Sequence, residues 1–231
     1  MAYRYAIYLV PPAEHPLWHA GTHWLGSDPA TAAALRPPQL PGLDAASQHA
    51  ITSEPRRYGL HATLKAPFRL RDDCNAADLI AALQAFTRAL QPFTLPALQV
   101  TELDGFLCLR PAAESQALQA LADACVVELD AFRAPLSDTE LARRKPDLLD
   151  ARGKALLARW AYPHVFERFR CHITLSGRLP PSARNDLLPA LVALFAPALA
   201  EPLPAQLALF AEDHAGAAFR LVQRFSLGGN A

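Results

Sequence analysis

The chain is poor in sulfur and carries no excess of charge of either sign. Its 231 residues include four cysteines and one methionine, and Cys74, Cys108, Cys125 and Cys171 form no CxxC pair. That removes the spacing used by zinc sites, thiol redox motifs and dense disulfide frameworks. Lysine plus arginine and aspartate plus glutamate each number 22, giving zero formal charge, so no global field draws the protein to nucleic acid or to an anionic membrane. Prolines divide the Ala/Leu-rich stretch from Leu187, and no segment approaches the roughly 18 uninterrupted apolar residues of a membrane span. The opening MAYRYAIYLV has Arg4 inside its apolar run and no small-residue cleavage site after it. HExxH, a P-loop, GxSxG and the Rossmann glycine pattern are missing as well. These absences predict a cytoplasmic protein with reduced thiols, no membrane contact, no metal and no cofactor.

What is present is a 52% hydrophobic chain, long enough for one substantial core or a compact two-lobed domain. YRYAIYLV reads as a strand closed by Pro11 and Pro12, and residues 13–57 read as short helices and a long loop. YGLHATLKAPF reads as a second strand with Gly59, His61, Thr63 and Lys65 on one face. Tyr58 falls in the opposite phase and reaches that face only if the strand begins after it. Asn75 caps a helix through Leu79, Leu83, Phe86 and Leu90, and Asp104-Gly105 joins two strands. A helical pattern from Glu114 to Cys125 precedes an arginine-rich helical insert, residues 136–162, broken at Pro146, with Ser137 and Glu140 spaced as a capping box. VFERFRCHITLSGRL alternates, placing Arg168, Arg170, His172, Thr174 and Ser176 on one face. Ser182 is placed to cap the next helix, and two closing strands follow. The second half thus loosely repeats the element order of the first, predicting a single bilobal α/β (α+β) domain over 1–231. Its lobes are drawn over residues 1–112 and 120–231, with antiparallel sheets around a central cleft.

The repeated tetrapeptide is the chemical signal: HATL at His61–Leu64 returns as HITL at His172–Leu175. In a strand, residues i and i+2 sit roughly 6 to 7 Å apart on one face, so a histidine and a threonine can address the same group. An imidazole exchanges protons near neutral pH, and a hydroxyl donates a hydrogen bond without adding charge. Facing strands of this kind surround one phosphorus with His61, His172, Thr63 and Thr174. One neutral imidazole would deprotonate an attacking water while the other, as imidazolium, protonates the departing ester oxygen, and the threonines would steady the non-bridging oxygens. Which histidine is acid and which base stays open at this level. Lys65 and Arg170 are each one step along the same faces and are candidates to hold a second phosphate; Arg133, Arg143 and Arg144 are further candidates that depend on how the insert folds.

His15, His19 and His23 repeat every fourth residue, but Pro16 and Gly21 disturb a helix there, and Trp18 and Trp24 favour an aromatic-packed surface segment over a metal site. The run Arg143–Lys145 is read first as a solvated helix face.

On RYAIYL, YGLHATLKAPF, GFLCLRP, DAFRAPLSDTELARR, LLARWAYPHVFERFRCHITLSGRL and FRLVQRFSLG, the chain resembles the two-histidine (2H) phosphoesterase superfamily, and within it the bacterial branch associated with phosphonate-utilisation operons. The resemblance implies a bilobal, pseudo-two-fold fold with both motifs on a central cleft and metal-independent chemistry on a cyclic phosphodiester. His61 and Thr63 match its first motif, His172 and Thr174 its second. It also implies a small phosphorylated substrate, such as a ribosyl cyclic phosphate in phosphonate metabolism. RNA-end 2′,3′-cyclic phosphate processing or ligation is the alternative enzyme, a non-catalytic phosphate- or RNA-binding protein the alternative class, and protein partners are left open. Cys171 departs from the pattern, standing before the second histidine where many relatives have proline.

Overall fold

The computed structural model describes residues 2–229. In chain order the elements are β1 (Arg4–Leu9), α1 (Pro16–Leu25), a small hairpin β2 (Ser27–Asp28) and β3 (Ala33–Ala34), α2 (Ala45–Tyr58), β4 (Ala62–Phe68), α3 (Ala76–Arg88), β5 (Leu98–Leu103), β6 (Phe106–Pro111), α4 (Gln116–Glu128), α5 (Asp138–Arg143), α6 (Ala151–Trp160), β7 (Ile173–Thr174), α7 (Pro181–Leu199), β8 (Gln206–Glu212) and β9 (Phe219–Ser226).

Two antiparallel sheets organise the molecule, one in the order β4-β1-β8-β9 and the other β5-β6-β7. The inner strands β1 and β8 are apolar almost without interruption and buried along nearly their whole length, as strands covered on both faces must be. Helices α3 and α4 lie against β9 and β4 of the first sheet, while α7 covers β5 and β6 of the second and meets α1. The alternation of sequence elements is therefore read correctly, but the lobes are not the consecutive segments 1–112 and 120–231. The hairpin β5-β6 of the first half joins the second motif strand, and β8-β9 of the second half joins the sheet of the first. Each sheet mixes both halves, and β4 and β7 approach one another between them.

Local signals account for the boundaries. Asn75 and Asp78 form a full capping box at α3, as do Ser137 and Glu140 at α5. Asp104 and Gly105 take φ of 48° and 91° at the tip of β5-β6, the left-handed pair that a two-residue hairpin of matching twist requires. Three expectations need correction. Pro16 begins α1 as its first residue instead of breaking it, with His15 as N-cap, because a proline at the first helical position has no amide to lose. Helix α7 starts one residue ahead of Ser182, at Pro181, for the same reason. The tract around the second histidine is regular strand only at Ile173–Thr174; Phe166–Arg168 is a 3₁₀ turn with Phe166 at φ 54°.

Trp18 and Trp24 are not a surface segment: both are buried, Trp24 completely. The Trp24 indole N–H donates to the Leu175 carbonyl at 2.7 Å, tying α1 to the residue that follows Thr174. Trp24→Phe keeps an aromatic ring but strips that buried carbonyl of its donor, and is expected to cost about 1–3 kcal/mol. Urea unfolding should show a lower midpoint at unchanged slope; a change under about 0.5 kcal/mol would contradict the link.

Candidate active site

Between the sheets lies a cleft of about 700 Å³ whose walls include His61, Thr63, His172 and Thr174 together. The two copies of the motif thus open on one space. The first is delivered by a turn that only glycine makes. Gly59 ends α2 at φ 77° and ψ 178°, a region essentially closed to residues with a Cβ, and a Cβ there would stand 2.9 Å from Pro29. Gly59 is thus a helix cap and not the first residue of the strand, so Tyr58, the last residue of α2, does reach the cleft.

The Gly59 carbonyl lies 2.9 Å from His61 Nδ1. A carbonyl can only accept, so Nδ1 carries the hydrogen, and Nε2 of the neutral ring is left as an acceptor. Thr63 Oγ1 sits 3.1 Å from that Nε2, oriented to donate into it. The Tyr8 ring stacks on the imidazole, centroids 3.7 Å apart at 25°. One edge of His61 faces the cleft, but protein encloses it elsewhere, and burial pushes its pKa down to about 4; the Gly59 hydrogen bond opposes this and the nearby His172 adds to it.

The second motif repeats the device. His172 Nδ1 lies 2.6 Å from the Arg170 carbonyl, again two residues back, so the same tautomer follows and Nε2 is directed away from its own strand. Phe106 on β6 meets the ring at 5.6 Å. Burial lowers the His172 pKa, the Arg170 hydrogen bond opposes it, and the positive charges of Arg170 and Arg110 lower it further. Thr174 is held in register opposite Cys108. Ser176, on the expected polar face, is wholly buried, accepting from the Leu107 amide and donating to the Gly177 carbonyl.

The secondary candidates divide. Lys65 is not beside Thr63: Thr63 pairs with Tyr8 and Lys65 with Ile7, so two residues of β4 span one step of β1. This bulge turns Lys65 to the opposite face, where its ammonium donates to the Val126 carbonyl and to Asp130, each at 3.1 Å. Arg133 is bound to the same carboxylate at 2.7 Å, lining with Lys65 a cavity of about 20 Å³ behind the strand. Arg170 pairs with Asp104 at 2.6 Å, and Arg168 with Asp150. Arg143 and Arg144 do line the cleft. Sequence reading missed Tyr8, Arg4, Arg57, Tyr162 and Arg178 as lining residues; they come from elements far apart in the chain, and no local pattern marks them. His15, His19 and His23 gather no site, since among the described residues no three His, Cys, Asp or Glu side chains are placed to hold a metal ion. Nor is any described helix long and apolar enough to cross a membrane.

Fold and site together define an α/β protein with paired His-x-Thr motifs across a cleft. The chain belongs to the family described as "Protein of unknown function (DUF1045)", whose model matches residues 63–220, a span that begins at Thr63 of the first motif and takes in the whole of the second. Two proteins named "Ribose 1,5-bisphosphate phosphokinase PhnN" are similar to it. That of Janthinobacterium sp. (strain Marseille) is 40% identical over 76% of this chain and 39% of its own length. That of Laribacter hongkongensis (strain HLHK9) is 40% identical over 94% of this chain and 50% of its own. The chain spans half or less of these curated relatives. Among solved structures, E. coli LigT complexed with 3′-AMP aligns over 98% of this chain and 99% of its own at 14% identity and a TM-score of 0.41. A structure titled as a phosphoesterase aligns over 97% and 98% at 15% identity, also with a TM-score of 0.41.

Because Gly59 both makes the turn and supplies the carbonyl that orients His61, Gly59→Ala is expected to displace the imidazole. Strain of about 1–3 kcal/mol should appear as lower stability, and the imidazole ¹⁵N shifts of His61 should lose the pattern of a ring protonated at Nδ1. Unchanged shifts would remove the turn from the account.

Proposed function

We propose that the cleft catalyses metal-independent hydrolysis of a cyclic phosphodiester, with a small ribosyl or related cyclic phosphate as substrate. The observation that carries the reading is the convergence of two imidazoles and two threonine hydroxyls on one cavity, each imidazole fixed by the carbonyl two residues before it. The phosphoryl group lies between the motifs, its non-bridging oxygens accepting from Thr63 and Thr174. His61, neutral, takes the proton of the attacking water at Nε2, which the Thr63 hydroxyl vacates as it turns to the phosphoryl oxygen. His172 delivers a proton from Nε2 to the ester oxygen as the P–O bond breaks, and the ring opens to a phosphomonoester. Proton transfer of this kind contributes about 10²- to 10⁴-fold for each group. The relatives named for a ribose bisphosphate kinase support a phosphorylated pentose, and the resemblance to the phosphonate-operon branch supports a role in phosphonate metabolism.

A second reading, RNA-end 2′,3′-cyclic phosphate processing, is favoured by Tyr58, Tyr162 and Phe106 in the same walls, since aromatic faces hold splayed bases.

Purified protein in EDTA is expected to open a ribosyl cyclic phosphate, with His61→Ala and His172→Ala each lowering kcat by about 10²- to 10⁴-fold. Turnover confined to RNA ends would select the second reading; retained activity in either variant, or binding without turnover, would reject catalysis by the pair. The pH profile follows from the two shifts. The base must be neutral, which fails only as pH falls through about 4. The acid must be protonated, which fails as pH rises through a value lowered from the ordinary 6.5. The optimum of kcat/KM is therefore expected on the acid side of 6.5, with kcat displaced upward because a bound anion favours imidazolium. An optimum above 7 for kcat/KM would contradict the assignment.

A further inference from the structure

Five arginines reach the cleft, Arg4, Arg57, Arg143, Arg144 and Arg178, and they are not equally free. Arg4 and Arg57 are bound to the two oxygens of Glu212, and Arg178 donates to the Asp104 carbonyl. Among the described residues, Arg143 and Arg144, at the end of α5, make no side-chain hydrogen bond or ion pair. Arg144 is the more enclosed, its guanidinium 4.9 Å from the centre of the Tyr162 ring. Burial acts against its charge, and its nearest electrostatic neighbours are Tyr162, Arg4, Tyr58 and Glu140, whose carboxylate is engaged by Arg69 and the Ser137 amide.

A desolvated guanidinium without a carboxylate partner is costly to keep, and its rigid fork is suited to a bidentate grip on phosphate. The segment that carries it is clamped: Glu140 joins α5 to Arg69 beyond β4, and Asp130 binds Lys65 of β4, Arg133 and Arg159 of α6. The reacting phosphoryl is already met by neutral hydroxyls. We infer that Arg144, assisted by Arg143 and the Tyr162 hydroxyl, forms a separate anion subsite that grips a second phosphoryl group on the same molecule, so that the substrate is a cyclic phosphodiester bearing a phosphomonoester. The inference rests on the cyclic phosphodiesterase reading and gives the helical insert its purpose, which is to select for the second phosphate. A terminal monoester, with two charges, suits two unpaired arginines better than the singly charged diester inside an RNA strand.

The test compares ribose 1,2-cyclic phosphate and adenosine 2′,3′-cyclic phosphate, each with and without a 5-position phosphomonoester, in the wild type, Arg144→Gln and Arg144→Lys. The wild type is expected to prefer the phosphorylated member by about 10- to 100-fold in kcat/KM, the range of charge-assisted hydrogen bonds. Arg144→Gln should collapse that ratio to within about threefold, with Arg144→Lys intermediate, as a point charge without the fork. Calorimetric binding of ribose 5-phosphate, which has no bond to cleave, should weaken at least about tenfold in Arg144→Gln and little in His61→Ala. No preference in the wild type, or equal loss on both members of a pair, would overturn the subsite while leaving hydrolysis standing. Arg144-dependent binding of ribose 5-phosphate without turnover of any cyclic ester would uphold the subsite and remove the hydrolytic reading. Absence of both binding and turnover would overturn the subsite.

Discussion

Each catalytic candidate in this protein is aimed by its own backbone. In both motifs the carbonyl two residues before the histidine accepts from Nδ1, and everything chemical follows from that repeated bond. It fixes the tautomer, leaves Nε2 without a hydrogen in the neutral ring, and limits rotation about the side chain. The motif strands need not be long for this to work. The second comprises two paired residues, and its histidine still makes the same carbonyl bond as the first.

The surrounding fold serves to bring these two local devices to one place. Exchange of hairpins between the halves means that neither motif sheet can form from a contiguous half of the chain, so assembly of the cleft is coupled to assembly of the whole core. Trp24 links the first helix to the end of the second motif, and the bulge in β4 divides the labour of that strand: Thr63 faces the cleft while Lys65 anchors the insert through Asp130. Replacing Lys65 would leave Asp130 with Arg133 and Arg159, but the strand would lose its own tie to the insert.

The motifs were legible because they are local. A histidine and a threonine two positions apart in an alternating tract define a face whatever the rest of the chain does, and capping boxes at Asn75 and Ser137 or a turn at Asp104-Gly105 are equally short-range. What was not legible depends on distant partners. Lys65 was placed on the wrong face because one extra residue in a strand inverts the alternation after it, and the bulge is set by pairing with β1, not by β4 alone. Arg170 and Arg133 look like ligand-binding cations until Asp104 and Asp130 are brought beside them. Arg143 and Arg144, the weaker candidates by sequence, remain in the cleft because no carboxylate of the described residues pairs with them. The lobe boundaries failed for a related reason: element order reveals a repeat, but strand partners decide which sheet each hairpin enters.

The electrostatic state of the cleft ties these levels together. Both imidazoles are biased toward the neutral form by burial; His172 lowers His61 further, and Arg170 and Arg110 lower His172. An anion held between them would reverse that bias, and under the proposed hydrolysis the substrate would itself supply the conditions under which one ring becomes an acid. The most direct measurement is a titration of the imidazole ¹⁵N signals with inorganic phosphate, at a pH just below 6.5. A shared site predicts that the Nε2 resonances of His61 and His172 respond together, along one saturation curve, with His172 moving toward the protonated form. Response of a single histidine, or two curves with different dissociation constants, would contradict it.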